Sequence, residues 1–173
     1  GNSVKSSSRV LATTNALWQP EAFKDFNNDG KTDILLRNTD NNSWYMYLMD
    51  GYAIEDSGRV AATTNALWQP QAFTDFNADG NADMLLRNIS NNAWYLYQMD
   101  GFGISSAGRV AATTNPLWQP ESFEDFNDDG KADILMRNTS NNSWYLYQMD
   151  GASIGSYGRV SATANGDWQP EAI

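Results

Sequence analysis

The sequence contains neither cysteine nor histidine. Without cysteine there are no disulfides, no thiolate metal sites and no cysteine nucleophile. Without histidine a Ser-His-Asp triad cannot be assembled. The usual general base near neutral pH and the commonest zinc ligand are missing as well. Positive charge is scarce: 11 Lys and Arg stand against 21 Asp and Glu, a net charge of −10. Nucleic-acid binding rests on Lys and Arg contacts to phosphate, so this balance argues against it. No apolar run approaches the roughly 18 residues of a membrane span. No signal-peptide pattern is visible, and residues 1–8 read as a cleaved mature end or a cloning scar. Apolar and aromatic content is ordinary, so a packed single domain over 1–173 is expected.

What is abundant is aspartate, and it is patterned. DFNNDGKTD begins at Asp25, DFNADGNAD at Asp75 and DFNDDGKAD at Asp125. Oxygen-bearing side chains fall at positions 1, 3, 5 and 9, with glycine at position 6. Alternate residues of a tight loop turn toward one centre, and glycine permits the sharp bend. In the first loop the candidate ligands are Asp25, Asn27, Asp29, the carbonyl of Lys31, and Asp33. Calcium takes six to eight oxygens in flexible geometry, whereas magnesium demands a stricter octahedron, so Ca2+ is the expected ion, one per repeat. Asp29-Gly30 would also make a good plain turn, but that does not explain four recurring oxygen positions. Three divalent cations would bring the net charge from −10 to −4. The loop is not an EF-hand. Position 12 is Leu36, Leu86 or Met136, never glutamate, and the flanks read as strands.

The loops belong to a repeat of fifty residues that aligns without gaps. Periods of this length mean solenoids, propellers or arrays. In the second unit WQPQAFTDF from Trp68 reads as a first strand, Ala82 to Arg87 as a second and Trp94 to Met99 as a third. A weaker fourth is expected over Gly103 to Thr113. Ser90-Asn91-Asn92 and Asp100-Gly101 supply turns. Trp44, Met46 and Leu48 point to one face of the third strand, and Tyr45, Tyr47 and Met49 to the other. Both faces are largely apolar, so each sheet is expected to be covered on both sides by like sheets, as propeller blades are. The predicted fold is all-β and propeller-like: three four-stranded antiparallel blades near 18–67, 68–117 and 118–167.

DFNxDGxxDILLRN, WYLYxMDG, GRV and WQP together resemble the FG-GAP/VCBS repeats of bacterial exoproteins, integrin α-chain propellers and some lectins. The resemblance implies blades of four strands, with the acidic loop joining the first two. It carries the metal-ligand assignment to Asp75, Asn77, Asp79, the carbonyl of Asn81 and Asp83. The third set is Asp125, Asn127, Asp129, the carbonyl of Lys131 and Asp133. It implies adhesion or ligand binding, or an accessory role beside a secreted enzyme, and no catalysis.

Similar half-units stand at both ends, 9–23 and 159–173. They allow a closed three-bladed unit, a six-bladed ring from two chains (a homodimer), or a piece of a longer secreted chain. Trp18, Trp68, Trp118 and Trp168, with Trp44, Trp94 and Trp144, are expected in interblade core rather than stacked on sugars. Arg37, Arg87, Arg137, Arg59, Arg109 and Arg159 are expected in structural contacts. Asn41-Asn42, Asn91-Asn92 and Asn141-Asn142 read as hairpin turns, and 52–57, 102–107 and 152–157 as variable contact segments. The function expected is a non-catalytic, calcium-stabilised binding module of a secreted bacterial protein, an accessory or adhesion domain for a protein or insoluble polymer. A lectin with repeated glycan sites is the alternative. A carboxylate hydrolase is a third, weakened because acids such as Glu21, Glu121 and Glu124 vary between units.

Overall fold

The computed structural model describes residues 9–161. Trp168 and most of the second end half-unit lie outside them. Twelve strands form three four-stranded antiparallel sheets, each in chain order. The first blade contains β1 (Trp18–Lys24), β2 (Asp33–Asn38), β3 (Trp44–Asp50) and β4 (Ala53–Val60). The second contains β5 (Trp68–Thr74), β6 (Asp83–Asn88), β7 (Trp94–Asp100) and β8 (Gly103–Val110). The third contains β9 (Trp118–Ser122), β10 (Ile134–Asn138), β11 (Trp144–Asp150) and β12 (Ser153–Val160). Pro20, Pro70 and Pro120 sit in the edge strands β1, β5 and β9 beside register shifts, where a missing N–H is tolerated. Asn42, Asn92 and Asn142 take the positive φ that ends each β2–β3-type turn, while Asn38, Asn88 and Asn138 accept N–H groups within the same turn.

Both faces of each sheet are apolar because blades stack front to back. One core joins Leu35, Trp44, Met46 and Leu48 of the first blade to Met84, Leu86, Tyr97 and Met99 of the second. A second core repeats it, with Leu85, Trp94 and Leu96 against Ile134, Met136, Tyr147 and Met149. The tryptophan face of one blade therefore meets the tyrosine face of the next, as the period-two reading of β3 requires. Trp68 and Trp118 are half-buried against these cores, edge-on to Tyr95 and Tyr145.

Arginine ties the joint. Arg37 donates to Gln69 Oε1 and the Trp68 carbonyl, both at 3.1 Å, and lies over the Trp44 ring. Arg87 repeats this with Gln119, the Trp118 carbonyl and Trp94. Here the expected structural role holds. Arg59 and Arg109, on the outermost strands, are exposed instead, and Arg109 borders the groove between the second and third blades. Arg159 donates to Ser143 Oγ.

Among the described residues the third blade's tryptophan face does not pack on the first blade's tyrosine face. Trp144 and Leu146 are half-buried, whereas Trp44, Trp94, Met46 and Leu96 are buried. The inner strands β1, β5 and β9 line an axial cavity of about 810 Å³, into which Leu135 and Trp144 open.

Candidate metal centre

Each acidic loop joins the first and second strands of a blade, as expected. Its backbone winds through positive φ at position 4 (Asn28, Ala78, Asp128) and at the glycine of position 6. In this winding the carboxylate at position 1 sits inside the loop. Asp25 Oδ2 accepts from the N–H of Gly30 at 2.8 Å, and Oδ1 from Asn27 and Asp29 at 3.3 Å. Asp75 and Asp125 make the corresponding bonds to Gly80 and Gly130. Asn27 and Asp29 each accept from an N–H two residues on, Asp29 and Lys31. Asn77 and Asn127 donate side-chain N–H to Asp79 and Asp129, so positions 3 and 5 touch.

Position 9 behaves differently. Asp33, Asp83 and Asp133 are wholly inaccessible. Asp33 Oδ2 accepts from the N–H of Phe26 and Oδ1 from that of Met49, both at 2.9 Å. The same two bonds recur at Asp83 and Asp133. This aspartate pins the loop to the third strand. Such a dual role could not be read from spacing alone, because one donor lies seven residues upstream in the loop and the other sixteen residues downstream in the third strand.

Electrostatics separate the positions. Burial pushes the carboxyls of Asp33 and Asp133 up, with nearby Asp29 and Asp25, or Asp129 and Asp125, adding to the shift. At Asp83 burial carries the value up to about 7. Asp29 is held low by the Lys31 N–H, and Asp125 by the Gly130 N–H. Because folded Asp83 binds its proton more tightly than the unfolded chain, the stability of calcium-free protein falls as pH rises between about 4 and about 7. Urea unfolding of chelated protein is expected to show a loss on the order of 3 kcal/mol across that window. Stability that is flat or rising through it would contradict the protonated reading of Asp83.

The donor set is all hard oxygen, which suits calcium chemically. As placed, the carboxylates are turned to backbone N–H groups, and among the described residues no group of three or more acidic side chains is arranged to hold a metal. Those bonds leave lone pairs free, since a carboxylate offers about four acceptor sites. Asn81 Oδ1, in the second loop, is buried with no hydrogen-bond partner. Lys31 and Lys131 instead extend to acidic groups of the β3–β4 and β11–β12 hairpins.

The loops also speak to one another, which the sequence did not disclose. The Ala82 N–H donates to the Asp25 carbonyl and the Ala132 N–H to that of Asp75, both at 2.8 Å. The Gly101 and Gly151 N–H groups donate to Phe26 and Phe76. Asn28 reaches the Asp79 carbonyl. Each acidic loop is thus part of the joint between two blades.

Four-stranded sheets stacked face to face, each with an acidic loop between its first two strands, define the chain as a set of β-propeller-like blades. Residues 25–86 match the family model for the FG-GAP-like repeat, the repeat family that the sequence resembles. Comparison with curated proteins and with solved structures gives no match. Repeats of this kind point to a non-catalytic β-propeller binding module. Glu21 and Glu121 line the axial cavity with Gln71 at the equivalent place, so the acids there do not recur as a set. No helix among the described residues is long and apolar enough to cross a membrane.

Proposed function

We propose that the chain is a calcium-stabilised binding module of a secreted protein, serving as an accessory or adhesion domain. The recurrence of one all-oxygen loop at every blade joint carries this reading. Calcium would be held at Asp25, Asn27, Asp29, the Lys31 carbonyl and Asp33, and at the matching residues of the other two loops. The ion would neutralise carboxylates that otherwise repel, in a segment that links consecutive blades through main-chain hydrogen bonds. Extracellular modules of this kind bind calcium at about 10⁻⁴–10⁻³ M, which suits secretion. The partner on this reading is a protein or an insoluble polymer.

One observation favours the lectin as a second reading. Tyr157 is 68% exposed and stacks on Tyr145. With Arg109, Thr113 and Tyr147 it lines a groove of about 640 Å³ between the second and third blades. Ser57 and Ala107 stand at its equivalents, so this aromatic shelf is peculiar to one groove. Aromatic faces beside hydrogen-bonding groups suit a sugar ring.

A glycan array run beside pull-down on insoluble polysaccharides and extracellular proteins, with calcium and with chelator, separates the readings. Calcium-dependent retention on a polymer or protein supports the accessory role. Soluble-glycan binding lost in Tyr157→Ala supports the lectin. No binding to any of these probes in calcium would contradict both.

A further inference from the structure

The two blade joints share four contacts, and each has an unmatched half at the ends of the described array. The acidic-loop phenylalanine is buried in the first two blades, where Phe26 and Phe76 are 0% exposed, but Phe126 is 46% exposed. The carbonyls of Asp25 and Phe26 accept N–H groups of the next blade, and those of Asp75 and Phe76 do the same. The donors at Ala82 and Gly101, repeated at Ala132 and Gly151, have counterparts at Thr32 and Gly51 in the first blade. The acceptors have counterparts at Asp125 and Phe126 in the third.

The glycines of the GRV segments make the match specific. A Cβ on Gly58 would lie 2.5 Å from the Phe102 ring, and one on Gly108 would lie 3.0 Å from Ala152. Each glycine is the seat for residue 2 of the following blade's last hairpin. A Cβ on Gly158 would meet no described residue within 4 Å. The residue that would fill the seat is Tyr52, which is 54% exposed. At the loops, a Cβ on Gly80 would meet Asn28 and one on Gly130 would meet Ala78 of the preceding blade, whereas one on Gly30 would meet no described residue within 4 Å.

We propose that the third blade's tryptophan face is a docking surface for the first blade of a second copy of this chain. The occupant is a second copy because the complementary half of every contact is present on the same polypeptide, and the joint is already formed twice within it. Tyr52 of the second copy seats on Gly158, in the trough of about 290 Å³ bordered by Leu146, Gln148 and Val160. The first blade arrives with its tyrosine face prepared. The Thr13 N–H donates to Tyr47 Oη just as Thr63 does to Tyr97 and Thr113 to Tyr147. A head-to-tail joint closes when rotation brings the last face back to the first. Two copies would close at six blades, within the four to eight usual for propellers.

Light scattering on the full chain over a concentration series, in calcium and in chelator, tests this. The expected mass at high concentration in calcium is twice the 19.2 kDa of one chain. Gly158→Arg is expected to return it to a single chain with an unchanged circular-dichroism spectrum, because no described residue lies within 4 Å of a Cβ at that position. Tyr52→Asp is expected to do the same from the opposite face. A single-chain mass at every concentration overturns the proposal. So does a dimer indifferent to both substitutions, or a mass that grows without limit.

Discussion

Removing calcium is expected to lower the melting temperature of this chain, and returning it to restore the value. At about 100 times its Kd one ion adds roughly 2.7 kcal/mol to folding, provided the unfolded chain does not bind. For a domain of this size each kcal/mol moves the melting temperature by about 2–4 °C, so a single filled loop accounts for roughly 5–10 °C. Three filled loops give more. The ion would act where structure is concentrated: the Asp25 and Asp75 carbonyls already bond the next blade, and Asp33, Asp83 and Asp133 pin the third strands. Differential scanning calorimetry with chelator, then with calcium restored, checks it. A melt unchanged by either would show that Asp-Gly loops and backbone bonds suffice. The pH slope assigned to Asp83 should also weaken in calcium, because a bound cation keeps the carboxylate ionised.

Trp94→Ala is expected to cost about 3–5 kcal/mol. Trp94 is wholly buried between the second and third blades, donates its Nε1–H to the Thr113 carbonyl at 3.1 Å, and lies beneath the Arg87 guanidinium. Its removal leaves a cavity, an unanswered carbonyl and an arginine without its aromatic support. Trp144 occupies the equivalent place on the third blade but is half-buried. Trp144→Ala, measured in the Gly158→Arg background where the end face stays uncovered, should cost half as much or less, in proportion to the smaller area removed from water. Chemical denaturation of the two variants makes the comparison. Equal losses would mean that the faces are not distinguished by stacking.

Much of this was legible in the residues. Period-two alternation in Trp44 to Met49, apolar on both sides, required sheets stacked on sheets, and both cores are built that way. Strand positions followed from the WQP, DILLRN and WYLY runs and the Asn-Asn and Asp-Gly turns between them. Less legible was anything that depends on which blade meets which. Arg37, Arg87, Arg59 and Arg109 look alike in sequence. The first pair stands on a central strand and is buried in hydrogen bonds to the next blade, while Arg59 and Arg109 stand exposed on the outermost one. The glycines of GRV carry no sign of being seats, since their reason is a side chain about forty-four residues away. The acidic loops were the plainest signal. Their spacing announced the oxygen donors, but not that position 9 is buried against two backbone N–H groups or that successive loops are hydrogen-bonded.

The central claim is that the three acidic loops hold calcium. Isothermal titration of chelator-stripped protein with calcium, paired with elemental analysis after dialysis, tests it most directly. The account predicts close to three ions per chain, with the count falling by one in Asp75→Ala combined with Asp79→Ala. No heat of binding and no retained calcium would contradict it.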